Sequence, residues 1–330
     1  MLSYIARRLA FMVPTLILIS IVSFVIIQLP PGDYLTTLVA QLSAQGETIE
    51  AGQLEALKQR YGLGESVFVQ YTKWISAILL EGDFGQSFEW GRPVADLLSQ
   101  RIGLTVVLAL STLLLTWVIA FPIGVYSAVK QYSPGDYVAT TVGFLGLAIP
   151  NFMIALALMY LGFRLFGLSV GGLFSPQFVD SGWNLGKLLD LIGHLWVPMI
   201  VLGTAGTAGL IRILRANLLD ELRKPYVVAA RARGMPERRL LIKYPLRVAL
   251  NPFISTVGWI LPALVSGEII VSQVLSLPTT GPLLLSALTS QDMYLAGSII
   301  LIVSVLTVIG TLLSDIALAW LDPRVRLRTK

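Results

Sequence analysis

Residues Asp220–Asn251 read DELRKPYVVAARARGMPERRLLIKYPLRVALN and lie between two long apolar runs, as a strongly basic stretch too polar to cross a membrane. The basic side chains are Arg223, Lys224, Arg231, Arg233, Arg238, Arg239, Lys243 and Arg247. Pro225 suits the first turn of a helix, because the N–H it lacks is one that a helix start leaves unpaired anyway. Val227–Arg233 then reads as a short helix, and Gly234 as its stop, since glycine enters the left-handed conformation without a Cβ clash. Pro236 suits the start of a second helix carrying Leu240, Leu241 and Leu246. The stretch therefore predicts two short helices joined by a Gly-Met-Pro turn and held at a membrane surface. A loop whose charge only fixes topology is the simpler alternative.

The chain around it has 330 residues, 55% hydrophobic and 13% charged, which is too apolar for an ordinary soluble domain. Net charge is +5, but its distribution matters more than its sum. There is no cysteine and one histidine, His194, so thiolate and histidine-rich metal sites are excluded. Arg7 and Arg8 precede an apolar run, Phe11–Leu29, that has the roughly 20 residues needed to span and no small-residue cleavage signature. It reads as a retained anchor.

Six stretches are apolar enough to span, at about 10–29, 104–129, 138–166, 195–217, 252–275 and 294–320. The expected fold is thus an all-α membrane protein with both termini on one side. Placing the termini inside puts Arg7, Arg8, Lys130, the ten bases from Arg212 to Arg247, and Arg324, Arg326, Arg328 and Lys330 inside, 17 of the 24 Lys and Arg. The inverted topology fails the positive-inside rule. Three regions follow: residues 1–30 as the inner end and first span, 31–102 outside the membrane, and 103–330 as a five-helix core with the loop 218–251 between spans four and five.

The outer segment holds nine acids and four bases over residues 31–100. Within it, Ile49–Tyr61 has helical spacing with Gly62 as a stop, and Val67–Leu80 places Phe68, Tyr71, Trp74, Ile75 and Ile78 at three-four spacing. These predict helices packed on the mouth of the bundle. Pro14, Pro122, Pro150, Pro198 and Pro262 lie in or beside spans and predict kinks. Gly203, Gly206 and Gly209 form a stripe that would let helices approach closely.

Several chemistries can be set aside. No GxxxxGK[ST] loop is present to cradle nucleotide phosphates. Gly167–Gly171 matches the GxSxG elbow, but it follows a span rather than a strand, and the one histidine begins the next span. Glu268 and Asp315 interrupt the last two spans. A carboxylate there costs roughly 2.5–3.5 kcal/mol and should meet a partner, the bundle interior or water. Glu268 is thus a candidate for the pathway or its gate, with a structural pair as the alternative. Arg212 and Arg215, near the inner end of the fourth span, read as snorkelling anchors.

A wider set of residues resembles a known family, the inner-membrane permease subunits of ABC importers, in their dipeptide/oligopeptide branch. The similarity runs through Tyr4-Ile-Ala-Arg-Arg-Leu, Pro31-Gly32-Asp33, Arg60-Tyr-Gly-Leu63, Gly82-Asp-Phe-Gly85 with Ser87, Ile149-Pro150-Asn151-Phe152, His194 with Pro198, Ser266-Gly267-Glu268 and Leu321-Asp-Pro-Arg324. The opening stretch is similar to that family's cytoplasmic loop, Glu-Ala-Ala, three residues, then Gly. Ala229, Ala230 and Gly234 hold those places, and Val228 stands where the Glu is usual. The resemblance implies that Val228, Ala229, Ala230, Arg231, Arg233, Gly234, Met235 and Pro236 form a coupling helix docking on an ATPase subunit. It implies as partners two ATPase subunits, which bind ATP and Mg, a second permease chain and an extracytoplasmic binding protein. No cofactor is expected in this chain, nor catalysis. Pro150, Asn151 and Glu268 are the pathway or gate candidates. The implied substrates are di- and oligopeptides, with oligosaccharides or opines as the alternative. A proton-coupled secondary transporter using Glu268 and Asp315, and a membrane-tethered nucleic-acid binder using the basic loop, leave more of the sequence unexplained.

Overall fold

The computed structural model describes residues 2–28, 65–87, 89–167, 170–256 and 269–321. The expected helix Ile49–Tyr61, Pro262, Glu268 and the basic C-terminal tail lie outside the described residues. The elements in order are α1 (Leu2–Gln28), α2 (Val67–Ser76, continued by one wide turn over Ala77–Glu81), β1 (Gln86–Ser87), β2 (Arg92–Pro93), α3 (Val94–Val129), α4 (Pro134–Ala148) and α5 (Asn151–Phe166). There follow α6 (Leu185–Leu222), α7 (Pro225–Ala232), α8 (Glu237–Lys243), α9 (Pro245–Ser255), α10 (Ile269–Val274), α11 (Thr280–Thr289) and α12 (Met293–Leu321). The two strands pair antiparallel, Gln86 opposite Pro93.

Among the described residues four helices are long and apolar enough to cross a membrane, within α1, α3, α6 and α12. The α4–α5 pair makes a fifth if taken as one span, but it bends by 99° at its break. The single span expected at 138–166 is therefore two helices. Pro150 lacks an N–H and pushes Ile149 out of the helical region, to φ −89° and ψ 123°. Pro14, Pro122 and Pro198, in contrast, sit inside helices that continue through them. Helices α3 and α6 have 36 and 38 residues, about 54 and 57 Å at 1.5 Å per residue, against a bilayer core about 30 Å thick. Both start about ten residues before the expected spans, because hydropathy marks the apolar slab rather than the helix that runs beyond it. Of the fifth expected span, 252–275, only the ends are described, in α9 and α10.

The chain divides into two compact units. One comprises Ala10–Gly103 and Pro282–Val305. Its core joins Phe24 and Ile27 of α1, Trp74 of α2, Val94 and Leu98 of α3, and Tyr294, Leu295 and Ile299 of α12. Phe24 stacks edge-on against Tyr71 at 5.5 Å, and Tyr71 Oη is 2.7 Å from Ser20 Oγ. Helix α2 thus packs as its spacing predicts, except that Phe68 is 74% exposed. The Gly82–Gly85 turn is built by Asp83, whose Oδ1 accepts from the Gly85 amide at 2.9 Å. Gly85 has φ +89°, and a Cβ there would sit 2.9 Å from Tyr294 Cδ1, so both backbone and space demand glycine. Ser87 then donates to the buried Asp292 at 2.5 Å, and the Glu89 carboxylate accepts from the Ser286 and Ser290 hydroxyls.

The other unit comprises Met1–Leu9, Leu104–Gly281 and Leu306–Lys330. Helix α6 is its hub, packing against α4, α5 and α9. Near its C-terminal end Leu210, Leu214 and Leu218 meet Ala120 and Ala128 of α3 and Leu246, Ala249 and Phe253 of α9. Nearer its start Leu191, Leu195, Val197 and Val201 meet Ala155 of α5, Leu173, and Val271 of α10. The glycine stripe acts at one position. A Cβ on Gly203 would meet Thr116 Oγ1 at 3.1 Å, whereas one on Gly209 would meet open space.

Candidate functional site

The basic loop folds as three short helices, not two. Pro225 opens α7, Pro236 precedes α8, and the Tyr244–Pro245 step opens α9. Leu240 is on α8 as expected, but Leu246 belongs to α9, because a proline at 245 restricts the residue before it. Helix α7 ends in a Schellman motif. Met235 N–H donates to Ala230 O at 3.3 Å and Gly234 N–H to Arg231 O at 3.0 Å. Gly234 has φ +76°, and no atom lies within 4 Å of where its Cβ would be. Across the turn Arg231 pairs with Glu237, Nη2 to Oε2 at 3.1 Å. The Arg231 guanidinium holds the Glu237 carboxyl below the usual range, and both side chains are exposed.

One residue roots α7. Val227 is fully buried, while Val228 on its other side is 53% exposed. Ala229, Arg231, Arg233 and Gly234 are exposed as well, with Ala230 and Met235 partly so and Pro236 exposed. The Tyr226 hydroxyl donates to Glu221 at the end of α6, and its ring lies 6.4 Å from that of Tyr244. Burial and the Glu221 carboxylate push the Tyr226 phenol up to about 12, so it stays a donor across the physiological range. Leu240 and Leu246 are buried beneath, and the latter joins the α3–α6–α9 cluster. The result is a short, rigidly stopped helix whose outward face is small, apolar and cationic, fastened at its base to the long helix α6.

The pathway candidates are less concentrated. Pro150 and Asn151 stand at the α4–α5 break, where Pro150 O accepts from the Met153 amide at 2.9 Å and Asn151 is buried. Glu268 lies outside the described residues. Asp315 is ion-paired with Arg8 at 3.1 Å, which answers the cost of a carboxylate in that helix without a proton relay. The residues of Gly167–Gly171 that are described follow a helix, and Gly167 is its left-handed cap, so the strand an elbow needs is missing there. Among the described residues no three of His, Asp and Glu are arranged to hold a metal.

Two polar assemblies escaped the sequence reading. Asp136 is 2% exposed and takes a bidentate pair from Arg215, Nε to Oδ1 at 2.9 Å and Nη2 to Oδ2 at 2.8 Å, plus the Tyr132 amide at 2.9 Å. Arg215 is thus the half-buried ion-pair partner of a buried carboxylate, not a snorkelling anchor. The signal was present in Ser133-Pro-Gly-Asp136, a capping-box pattern: Ser133 Oγ accepts from the Asp136 amide at 3.2 Å. The second is Lys187, buried in α6, whose Nζ donates to Ser181 O at 2.6 Å and Val179 O at 3.2 Å and lies over the Phe174 and Trp183 rings. Beside it Asp190 accepts from the Ser175 amide and hydroxyl, at 2.7 and 2.6 Å. Together they pin residues 173–183 to the start of α6. A buried lysine among carbonyls has no periodic signature.

A multi-helix membrane protein that offers a rooted, capped helix on a basic loop has the form of a transport permease subunit. Residues 120–327 match the binding-protein-dependent transport system inner membrane component family, and residues 1–109 match the N-terminal component of such transport systems. The chain belongs to this family. It is 37% identical over 327 residues to the oligopeptide transport system permease protein AppB of Bacillus subtilis, covering 98% of this chain and 99% of that one. A putative peptide permease protein of Brucella ovis is 31% identical over 332 residues, 99% of each chain. The dipeptide transport system permease protein DppB of Alkalihalophilus pseudofirmus is 29% identical over 340 residues, 99% of this chain and all of that one.

Proposed function

We propose that this chain is a translocation-path permease of an ATP-driven, binding-protein-dependent importer of di- and oligopeptides. The observation that carries the reading is α7: a helix whose exposed face is Val228, Ala229, Arg231 and Arg233, fixed by buried Val227 and stopped by Gly234. That geometry suits a helix pressed into a groove of a separate subunit. Val228 at the usual Glu place fits this role, since an exposed valine among cations gains by burial against a partner. The proposed topology has six spans, with both termini and residues 218–251 in the cytoplasm and residues 31–102 outside.

In this reading two ATPase subunits hold ATP and Mg, a second permease chain completes the path, and a binding protein delivers substrate from outside. No nucleic acid is involved. Closure of the ATPases displaces α7 as a rigid body, and the Leu214, Leu218, Leu246 and Phe253 packing passes that displacement to α6 and α9. Pro150, Asn151 and Glu268 are the proposed pathway or gate residues. The full-length similarity to proteins named for oligopeptide and dipeptide transport supports peptides as the substrate class. The test is copurification of the complex and measurement of ATP hydrolysis with peptide-loaded binding protein. Stimulation by peptide-loaded but not empty binding protein is expected. Stimulation by oligosaccharide-loaded protein alone would overturn the peptide assignment and leave the importer mechanism standing.

A further inference from the structure

Helices α4 and α6 leave between them a groove of about 230 Å³, walled by Ala139, Gly143, Phe144, Leu147, Ala208 and Ile211. Small residues on both sides give it depth. A Cβ added to Gly143 would still lie 3.9 Å from Ala208 Cβ. Two charged residues line it, Arg212 and Arg215. They differ in one respect that matters. Arg215 is neutralised by the bidentate pair with Asp136, whereas Arg212 is exposed and meets no acceptor among the described residues. The groove therefore presents one uncompensated guanidinium beside an apolar wall. Arg212 lies about three turns before α6 ends at Leu222, on the side of the basic loop.

We infer that this groove seats an anionic phospholipid, with one acyl chain along the α4–α6 wall and its phosphate on Arg212. The guanidinium fork matches phosphate oxygens, and an unpaired charge on a membrane-crossing helix calls for such an anion. Basic pockets between membrane helices on the cytoplasmic side characteristically take lipid headgroups. The inner-leaflet placement rests on the topology proposed above, but lipid choice by the groove does not. A second permease chain lying on the same wall is the competing occupant.

The test uses the full chain in nanodiscs with photoactivatable phosphatidylglycerol or phosphatidylcholine, and locates the label by mass spectrometry. Phosphatidylglycerol is expected to label residues 139–147 and 208–216 about tenfold more than phosphatidylcholine, the scale of one charged hydrogen bond. Arg212→Gln should remove that preference, and Arg212→Lys should retain most of it. Arg164→Gln, on α5, should leave it unchanged. Equal labelling by the two probes, or a preference that survives Arg212→Gln, overturns the inference. So does cross-linking of these segments to a second permease chain in place of lipid. Competition by unlabelled phosphatidylglycerol but not phosphatidylcholine on the unaltered chain decides the matter even if the Gln variant misfolds.

Discussion

Gly234 shows how one backbone angle can carry a function. At φ +76° with open space around its Cβ position, the cost of a side chain is purely conformational, of order 1–2 kcal/mol for a non-glycine residue and more for a β-branched one. Gly234→Val is expected to reduce uptake strongly at normal abundance, and Gly234→Asn only mildly. Uptake per molecule in membrane vesicles checks this, and full activity of the Val variant would remove α7's stop from the mechanism. Asp136 and Arg215 make the second residue-scale case. Breaking a buried pair costs about 3–5 kcal/mol because it strands a charge. Arg215→Gln should thus lower the thermal stability of the purified chain sharply. The double variant Asp136→Asn with Arg215→Gln should be less destabilised than the single losses added together. Additive losses in thermal unfolding would show that the two groups act apart.

At the scale of elements, the α4–α5 break and the α6–α9 packing are the features that matter. Residues Tyr137 and Phe163 would stand about 39 Å apart along one straight helix, and the 99° bend brings them much closer. Spin labels at those positions should report a distance well under that value. In Pro150→Ala the restored N–H permits a continuous helix, and the distribution should shift outward. A measured separation near the straight-helix value in the unaltered chain would contradict the bend. Below α7, the fully buried Leu218 fastens α6 into the cluster that also holds Leu246 and Phe253. Leu218→Ala should cost about 2–5 kcal/mol by leaving a cavity. It should also uncouple ATP hydrolysis from uptake more than it lowers either alone, as simultaneous measurement of both rates would reveal.

For the whole molecule the decisive property is which side each loop faces. The chain has no cysteine, so a single one can be introduced without interference. A cysteine at Gly234 is expected to react with an impermeant maleimide only after the membrane is opened, whereas one at Glu89 should react from outside in intact cells. The reverse pattern would invert the topology and remove α7 from reach of any cytoplasmic ATPase. The Arg231–Glu237 pair bears on the working range of this loop. Its carboxyl is depressed, so the pair is complete above the ordinary glutamate range and is lost only as pH falls through the lowered value. Coupling should therefore not change with pH near neutrality on account of this pair.

The sequence by itself determined the membrane class, the basic loop, α7 with its Gly234 stop, and α2, because each rests on local signals. Those signals are a run of apolar residues, a proline or glycine at a helix end, and three-four spacing. It also carried enough short motifs, spread along the whole chain, to point to the transport family. Tertiary structure alone decided the rest. Whether a proline is absorbed, as at Pro122 and Pro198, or breaks the helix, as at Pro150, depends on the packing that satisfies the freed carbonyl. Whether an arginine beside a span reaches for water or for a carboxylate depends on what lies opposite it. Asp136 is 79 residues from Arg215, and Arg212, three residues from Arg215, has no such partner among the described residues. Linear spacing cannot separate those two arginines, because the difference between them is made by helix α4.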